Sequence, residues 1–224
     1  MVWVGPPGPE FPKVERWDLF EVPGLVRAWL QCAPSITPLK ELLFCWELEA
    51  TDDLAKRFSQ DMRALFALGP RLDRATLVDS QLGRMVHDLS QVFSAGRPIT
   101  NEQLHVVKDV ADKVYAGFTN STQPKGWAGR RGGPSLSLRF GLRFFLEGGP
   151  ALNNPTCIAS VYGGAYGATI SIFKRYWGQP VFDQLTTIYH EMSHIFAQRD
   201  DGQSGVATNQ ASKYEAFLNM FYSS

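Results

Sequence analysis

The sequence predicts an α+β fold in which N-terminal helices precede a small mixed sheet, and a further helix follows the sheet. Two observations predict it. Apolar residues recur at helical spacing between residues 51 and 118, whereas a strict alternation of apolar and polar residues begins at residue 136. Helices and strands therefore occupy separate stretches of the chain, without the alternation that βαβ units require.

Residues 1–50 are expected to form an N-terminal extension of open role, and residues 51–224 a single domain. Within the extension, residues 24–49 fit short helices or strands equally well. The first helix of the domain is predicted to begin at Thr51, a residue type that favours the N-cap. Its apolar stripe consists of Leu54, Phe58, Met62, Leu65 and Phe66.

Two more helices carry clearer end signals. The second is expected to end at Gly96, and the third to begin with a capping box formed by Thr100 and Gln103. His87 and His105 lie just off the two apolar stripes and are expected at the surface. The stripes consist of Val78, Leu82, Met85, Leu89 and Phe93 in the second helix and of Leu104, Val107, Val110, Val114 and Phe118 in the third.

The segment after these helices predicts three strands. The alternation over residues 136–144 predicts one strand with one solvated face. The segments "TCIASVYGG" (156–164) and "ATISIFKRYW" (168–177) predict two more, separated by a glycine-rich turn at residues 163–167. The alternating apolar residues are Leu136, Leu138, Phe140, Leu142 and Phe144.

The composition narrows the range of partners. The 22 basic and 22 acidic residues cancel, so no net positive charge attracts nucleic acid. The chain lacks an apolar run of the ~18 residues that a membrane helix requires, so membrane insertion is not expected. The N-terminus lacks the basic and apolar regions of a Sec signal peptide, which predicts a cytoplasmic location or export by a specialised secretion system.

The motif His190-Glu191-x-x-His194 is the strongest functional signal in the chain. Histidines four residues apart on a helix lie one turn above each other, so both imidazoles can reach one metal ion. Both lie off a continuous apolar face, which is complete without them. The alternative interpretation is an ordinary buried helix with polar residues on its solvent side. The apolar face consists of Val181, Phe182, Leu185, Ile188, Tyr189, Met192, Ile195 and Phe196.

A metal site here would need a third protein ligand besides the two histidines. Asp200 and Asp201 follow the motif closely, and Glu215 lies farther along the chain. The residues alone leave these candidates open. Glu191 can act as a general base toward a water molecule whose pKa a zinc ion lowers to about 7.

Over residues 157–217 the chain resembles the aspzincins, the family of deuterolysin and the lysine-specific metallo-endopeptidases. The resemblance lies in "ASVYGGAYGATISIFKRYWGQPVFDQLTTIYHEMSH", in "QRDDGQSG" where the family carries G-T-x-D-x-x-Y-G, and in the closing helix "NQASKYEAF". It implies a zincin-like fold, a Zn²⁺ cofactor and endopeptidase activity. It also implies that His190, His194 and Asp201 bind the zinc and that Glu191 is the general base.

The chain departs from the family at two places beside this site. Gln198 and Arg199 replace the family's Gly-Thr pair, and Ser204 stands where the family carries a tyrosine that stabilises the oxyanion. Removing one such donor commonly costs about a hundredfold or more in rate. Tyr189, Tyr214 and Arg199 are candidates to replace it.

The expected partner is a protein or peptide substrate, which a sheet edge near residues 168–174 could align through main-chain pairing. A protease without a signal peptide could be an exported effector or toxin with an immunity or inhibitor partner, and a cytosolic peptidase fits equally well. Two alternatives stay open. One is a non-catalytic zincin-like binding module, and the other is a zinc peptidase whose third ligand is Glu215 rather than Asp201.

Overall fold

Helices and strands occupy separate stretches of the chain, which confirms the predicted α+β class. The computed structural model describes residues 37–68, 81–119, 128–130, 133–137, 143–146, 158–162, 169–203 and 205–223. Its helices are α1 (Thr37–Ala67), α2 (Gln81–Ser94), α3 (Asn101–Thr119), α4 (Val181–Ala197) and α5 (Ala211–Tyr222). Its strands are β1 (Ala128–Arg130), β2 (Gly133–Ser137), β3 (Arg143–Phe145), β4 (Ala159–Tyr162) and β5 (Thr169–Ile172). Short 3-10 turns precede α4 and α5, at Lys174–Gly178 and Ala207–Asn209.

Helix α1 begins at Thr37, so the predicted start at Thr51 is wrong. Thr51 lies inside the helix, where its hydroxyl donates a 2.7 Å hydrogen bond to the Glu47 carbonyl. That bond to the carbonyl one turn back lets a threonine stand in mid-helix despite its preference for the N-cap. The predicted division at residue 50 falls inside this helix, and buried residues on both sides of it share one core: Leu43, Phe44, Leu48, Leu54 and Phe58.

Helices α2 and α3 carry the end signals that the sequence predicts. Helix α2 ends in a turn through Gly96, which has a positive φ of 79°. The capping box of α3 is formed in both directions: the Thr100 amide donates to Gln103 Oε1 at 2.9 Å, and the Gln103 amide donates to Thr100 Oγ1 at 3.1 Å. Val78, the first residue of the predicted α2 stripe, lies outside the described residues. The histidines of these helices are exposed, as predicted: His87 and His105.

The described strands form one mixed sheet in the order β1-β2-β3-β5-β4. The pairs β1–β2, β2–β3 and β4–β5 are antiparallel, and β3–β5 is parallel. The single strand predicted over residues 136–144 is wrong, because β2 and β3 pair with each other and place Leu136 opposite Phe144. Side chains an even number of residues apart share a face in one strand and also across such a pair, so the alternation does not reveal the break.

Strand β5 lies inside the sheet, between β3 and β4, so the sheet edge predicted near residues 168–174 is wrong. The neighbouring strand β4 ends the described sheet on that side and contacts helix α4. Sequence periodicity gives the existence of a strand but not its neighbours, since the order depends on pairing between distant segments.

Helix α4 packs against α1, α3, α5 and β4, so it is held from several directions. Its N-terminal end is fixed by the preceding turn: Gln184 Nε2 donates to the Tyr176 carbonyl at 2.7 Å, and the Tyr176 hydroxyl donates to the buried Glu47 carboxylate at 2.7 Å. Its C-terminal end approaches α3 at Gly117, where an added Cβ would lie 2.4 Å from the Phe196 ring. These contacts fix α4 at both ends. Within the described ranges, no helix combines the length and the apolar character needed to cross a membrane.

Candidate metal centre

Helix α4 buries one side in the core and presents two histidines beside it. His190 and His194 keep 16% and 17% of their side chains exposed. Their ring centroids lie 4.8 Å apart with an interplanar angle of 71°. The four-residue spacing thus places the two imidazoles next to each other, while the core side of the helix is formed by Leu185, Ile188, Tyr189 and Met192.

The chain after α4 brings Asp201 back to these histidines. Gln198 ends the helix in the left-handed conformation, with φ 53° and ψ 42°, so the chain turns away from the helix axis. One oxygen of Asp201, Oδ1, lies 3.2 Å from His190 Nε2 and 3.1 Å from His194 Nε2. The ligand atoms of the three residues all lie within 4.8 Å of one another, so this group could hold a metal ion.

Asp200 and Asp201 have different positions, although they are adjacent. The Asp200 backbone joins the loop to the start of α5: its amide donates to the Asn209 carbonyl at 2.7 Å, and its carbonyl accepts from the Ala211 amide at 2.8 Å. The Asp200 carboxylate accepts from the Gly202 amide at 2.8 Å. Asp200 therefore shapes the loop, and Asp201 is the aspartate that faces the histidines.

Glu215 reaches His190 from the opposite side. Its Oε2 lies 2.9 Å from His190 Nδ1, the ring nitrogen that does not face Asp201. Its other oxygen accepts a 3.2 Å hydrogen bond from the Thr187 hydroxyl, one turn earlier on α4. Among the described residues, the group that could hold a metal contains Asp201 and not Glu215.

His194 is oriented by the backbone of the loop. Its Nδ1 lies 2.6 Å from the Arg199 carbonyl oxygen. The Arg199 carbonyl and the Asp201 carboxylate, which lies 3.1 Å from Nε2, both only accept hydrogen bonds. The shorter contact to the carbonyl favours the proton of the neutral ring on Nδ1, which leaves Nε2 facing Asp201. Metal-binding histidines usually have such a partner on the second ring nitrogen, and the partner fixes the tautomer and the ring orientation. Both histidines of this group have one.

The Arg199 side chain holds the loop that contains Asp201. Its Nε donates to the Ala197 carbonyl at 2.8 Å, and its Nη1 donates to the Thr208 carbonyl at 3.1 Å and to Asn209 Oδ1 at 3.0 Å. These bonds join the end of α4 to the 3-10 turn before α5. The loop therefore has a fixed path although Asp201 itself is 67% exposed.

The electrostatics of the site are dominated by three carboxylates around two partly buried histidines. Burial raises the pKa of Glu191 to about 7; His190 acts against this rise, and Asp201 and Glu215 add to it. Burial alone would lower the pKa of His190, but the hydrogen bond to Glu215 and the nearby negative charges outweigh burial and raise it. Glu191 can therefore bind or release a proton near neutral pH.

The three side chains that are candidates to replace the family's oxyanion tyrosine are buried in the core or hydrogen-bonded to the loop. Tyr189 is fully buried, and burial raises its pKa well above the ordinary value. The Tyr214 hydroxyl donates to the Thr208 carbonyl at 2.7 Å, and Arg199 is bonded to the loop. Ser204, at the position of the family tyrosine, lies outside the described residues.

Sequence reasoning missed two groups that take part in orienting the histidines: Thr187, which donates to Glu215, and the Arg199 carbonyl, which contacts His194. Thr187 lies three residues before His190, a spacing that puts both on one helix face, so this neighbour could have been found. The Arg199 contribution comes from its backbone carbonyl, which leaves no signature in the residue type. The sequence offers Glu215 as a candidate third ligand, but its contact with His190 depends on how α5 packs on α4.

Comparisons with known proteins identify no relative: no family model, curated protein or solved structure matches this chain.

Proposed function

We propose that this protein is a zinc-dependent endopeptidase of the aspzincin type, with a zincin-like fold. The observation that carries the proposal is the convergence of His190 and His194 on α4 with Asp201 on the following loop. Glu191 is buried on α4, directly after His190. Two imidazole nitrogens and one carboxylate are a donor set that catalytic zinc sites use, whereas calcium and magnesium prefer oxygen ligands throughout.

Two of the three distances between donor atoms match those around a zinc ion. Ligand atoms at ~2.0–2.1 Å from a tetrahedral ion are separated by about 3.3 Å. The oxygen of Asp201 lies 3.2 Å and 3.1 Å from the two histidine nitrogens, close to that value. Because Asp201 is largely exposed, solvent can reach the group and complete the coordination, as catalytic sites require.

Glu191 supplies the proton transfers of the proposed reaction. Zinc, when bound, would lower the pKa of a water molecule to about 7. Glu191 accepts a proton from the attacking water at its carboxylate, and the water oxygen forms the new bond to the peptide carbonyl carbon. Glu191 then donates that proton to the leaving amine nitrogen as the carbon–nitrogen bond breaks.

The substrate would be a protein or peptide bound in an extended conformation. Strand β4 ends the described sheet and contacts α4, the helix that carries the histidines, so its outer side could pair with a substrate main chain. This proposal replaces the edge expected near residues 168–174, which lies in the sheet interior.

Metal analysis combined with a peptidase assay tests the proposal on wild type and Glu191→Ala. We expect about one zinc per chain in both proteins, and a loss of cleavage by ~10²–10⁴-fold in the variant because the general base is removed. Glu191→Ala retaining wild-type cleavage, or a wild-type protein without zinc, would defeat the proposal.

A non-catalytic zincin-like binding module is the second candidate. One observation favours it: Tyr189, Tyr214 and Arg199 are engaged in the core or the loop and are not free to replace the family's oxyanion tyrosine. This candidate predicts stoichiometric zinc in wild type with no cleavage of any protein or peptide substrate in the same assay.

A further inference from the structure

We propose that Glu215 is a positioning residue for His190: its carboxylate accepts a hydrogen bond from Nδ1–H and thereby turns Nε2 toward Asp201. For its consequence in metal binding this inference rests on the proposed function, whereas its effect on the histidine tautomer does not. It gives Glu215 a role other than that of the third metal ligand.

The carboxylate of Glu215 is held at both oxygens by residues of α4. Oε2 contacts His190 Nδ1 at 2.9 Å, and Oε1 accepts from the Thr187 hydroxyl at 3.2 Å. Thr187 and His190 are three residues apart and lie on one side of α4, so a single carboxylate from α5 spans both. Two separate contacts fix the carboxylate plane as well as its position.

This arrangement selects one tautomer of His190. The Glu215 and Asp201 carboxylates both only accept hydrogen bonds, so they compete for the single proton of the neutral ring. Glu215 is nearer, at 2.9 Å against 3.2 Å, and less exposed, at 28% against 67%, so the proton belongs on Nδ1. The lone pair of the neutral ring then lies on Nε2, 3.2 Å from the Asp201 oxygen. His194 reaches the same tautomer through the Arg199 carbonyl. Both rings therefore direct their lone pairs to one point.

The same geometry argues against Glu215 as a ligand. The two ring nitrogens of an imidazole direct their bonds away from each other, so a metal bound at Nε2 of His190 lies on the side away from Glu215. Carboxylates that accept from a metal-binding histidine are common, and removing one typically costs about 10–100-fold in metal affinity.

The helix pair α4–α5 supplies a matched control. Thr186, next to Thr187, donates a 3.2 Å hydrogen bond to Asn219 Oδ1, one turn beyond Glu215 on α5. Asn219→Ala removes a hydrogen bond of the same length between the same two helices without touching His190. Any effect seen at Glu215 and not at Asn219 comes from the contact with the histidine rather than from helix packing.

The test combines two measurements on wild type, Glu215→Ala, Glu215→Gln and Asn219→Ala. Nitrogen-15 NMR of the histidine side chains, on metal-free protein at a pH where the rings are neutral, reports which nitrogen of His190 carries the proton. Zinc affinity is measured by competition with a chelator. Thermal unfolding verifies that each variant is folded, and the nearly isosteric Gln variant keeps the shape of the site if Ala does not fold.

We expect wild type and Asn219→Ala to hold the proton on Nδ1 and to bind zinc with equal affinity. Glu215→Ala should populate both tautomers and bind zinc about 10–100-fold more weakly. Glu215→Gln should lie between them, because its amide can present either an oxygen or a nitrogen to the ring. If the folded Glu215 variants keep the wild-type tautomer and affinity, the inference is overturned.

A second result would overturn it differently. If Glu215→Ala abolishes zinc binding as completely as Asp201→Ala does, Glu215 is a ligand and not a positioning residue. The failure of the proposed function is distinguishable from both: wild type would then bind no zinc, while the tautomer comparison on the metal-free protein would still decide the role of Glu215.

Discussion

The candidate metal centre has a helix-built half and a loop-built half. The helix-built half consists of His190, Glu191 and His194 on α4 and Glu215 on α5, and its side chains are buried or partly buried. The loop-built half consists of Arg199 and Asp201, and it depends on a left-handed turn and on backbone hydrogen bonds. The helix-built half places an ionisable carboxyl group in the interior, and burial raises the pKa of this group, Glu191, to about 7. The loop-built half instead keeps the Asp201 carboxylate exposed, and its backbone is strained at Gln198, which has φ 53°.

The largest predicted loss of zinc binding follows the removal of Asp201, the one candidate ligand in the loop-built half. Asp201→Ala should weaken zinc binding by more than about a hundredfold, since removing a ligand exceeds the effect of removing an outer hydrogen-bond partner. Its exposure means that the fold should lose little stability. Competition with a chelator and urea unfolding measure the two quantities.

Asp200→Ala is the matched control for that variant. It should cost about 1 kcal/mol of stability, because the Gly202 amide loses its acceptor, with a much smaller effect on zinc. Equal losses of zinc affinity in the two variants would show that either aspartate can serve, and the assignment of Asp201 would fail.

The sequence could predict the parts of the site that depend on residues close together in the chain. The capping box at Thr100 and the adjacency of His190 and His194 depend on residues three or four apart, and local geometry decides them. Asp201 was reached through a family resemblance, because the path of a loop is not contained in helical spacing. The contact between Glu215 and His190 required the packing of α5 on α4, which no local pattern specifies.

The wrong predictions of the fold also arise where tertiary contacts, rather than local sequence patterns, decide the structure. Thr51 favours an N-cap by residue type, but the buried residues that precede it extend α1 toward its N-terminus, so the predicted start is wrong. The strand predicted over residues 168–177 is observed over Thr169–Ile172, and a 3-10 turn follows at Lys174–Gly178. Its position inside the sheet depends on pairing with β3 and β4. Local propensity therefore located elements, and tertiary contacts decided their lengths and neighbours.

A second prediction tests the cost of burying Glu191. Its pKa is raised from 4.5 to about 7 in the folded, metal-free protein, so the folded state binds more protons than the unfolded state between these values. Stability must then fall as pH rises from about 4.5 through about 7. Glu191→Gln removes the titrating carboxyl group. The free energy of unfolding of the variant should therefore rise relative to that of wild type across this pH range, by on the order of 1–3 kcal/mol above pH 7.

Urea unfolding in the presence of a chelator, at several pH values from 4.5 to 8, measures that difference. Glu49→Gln, at an exposed position of α1, is the control and should show no comparable gain. Parallel stability curves for wild type and Glu191→Gln would mean that the buried carboxylate imposes no such cost, and the contrast between the two halves would disappear.

The smallest predicted effect concerns the strain in the loop-built half. Gln198 is exposed and adopts φ 53°, a conformation that favours glycine, and the resembling family carries glycine at this position. Gln198→Gly should relieve that strain and stabilise the fold by up to about 1 kcal/mol, although the greater freedom of glycine in the unfolded chain offsets part of the gain. Gln91→Gly, at an exposed position inside α2, should have the opposite sign and cost about 1 kcal/mol. Both are measured by urea unfolding, together with zinc affinity. If Gln198→Gly destabilises as Gln91→Gly does, the turn carries no strain; if it weakens zinc binding, the stiffness of Gln198 itself places the Arg199 carbonyl on His194.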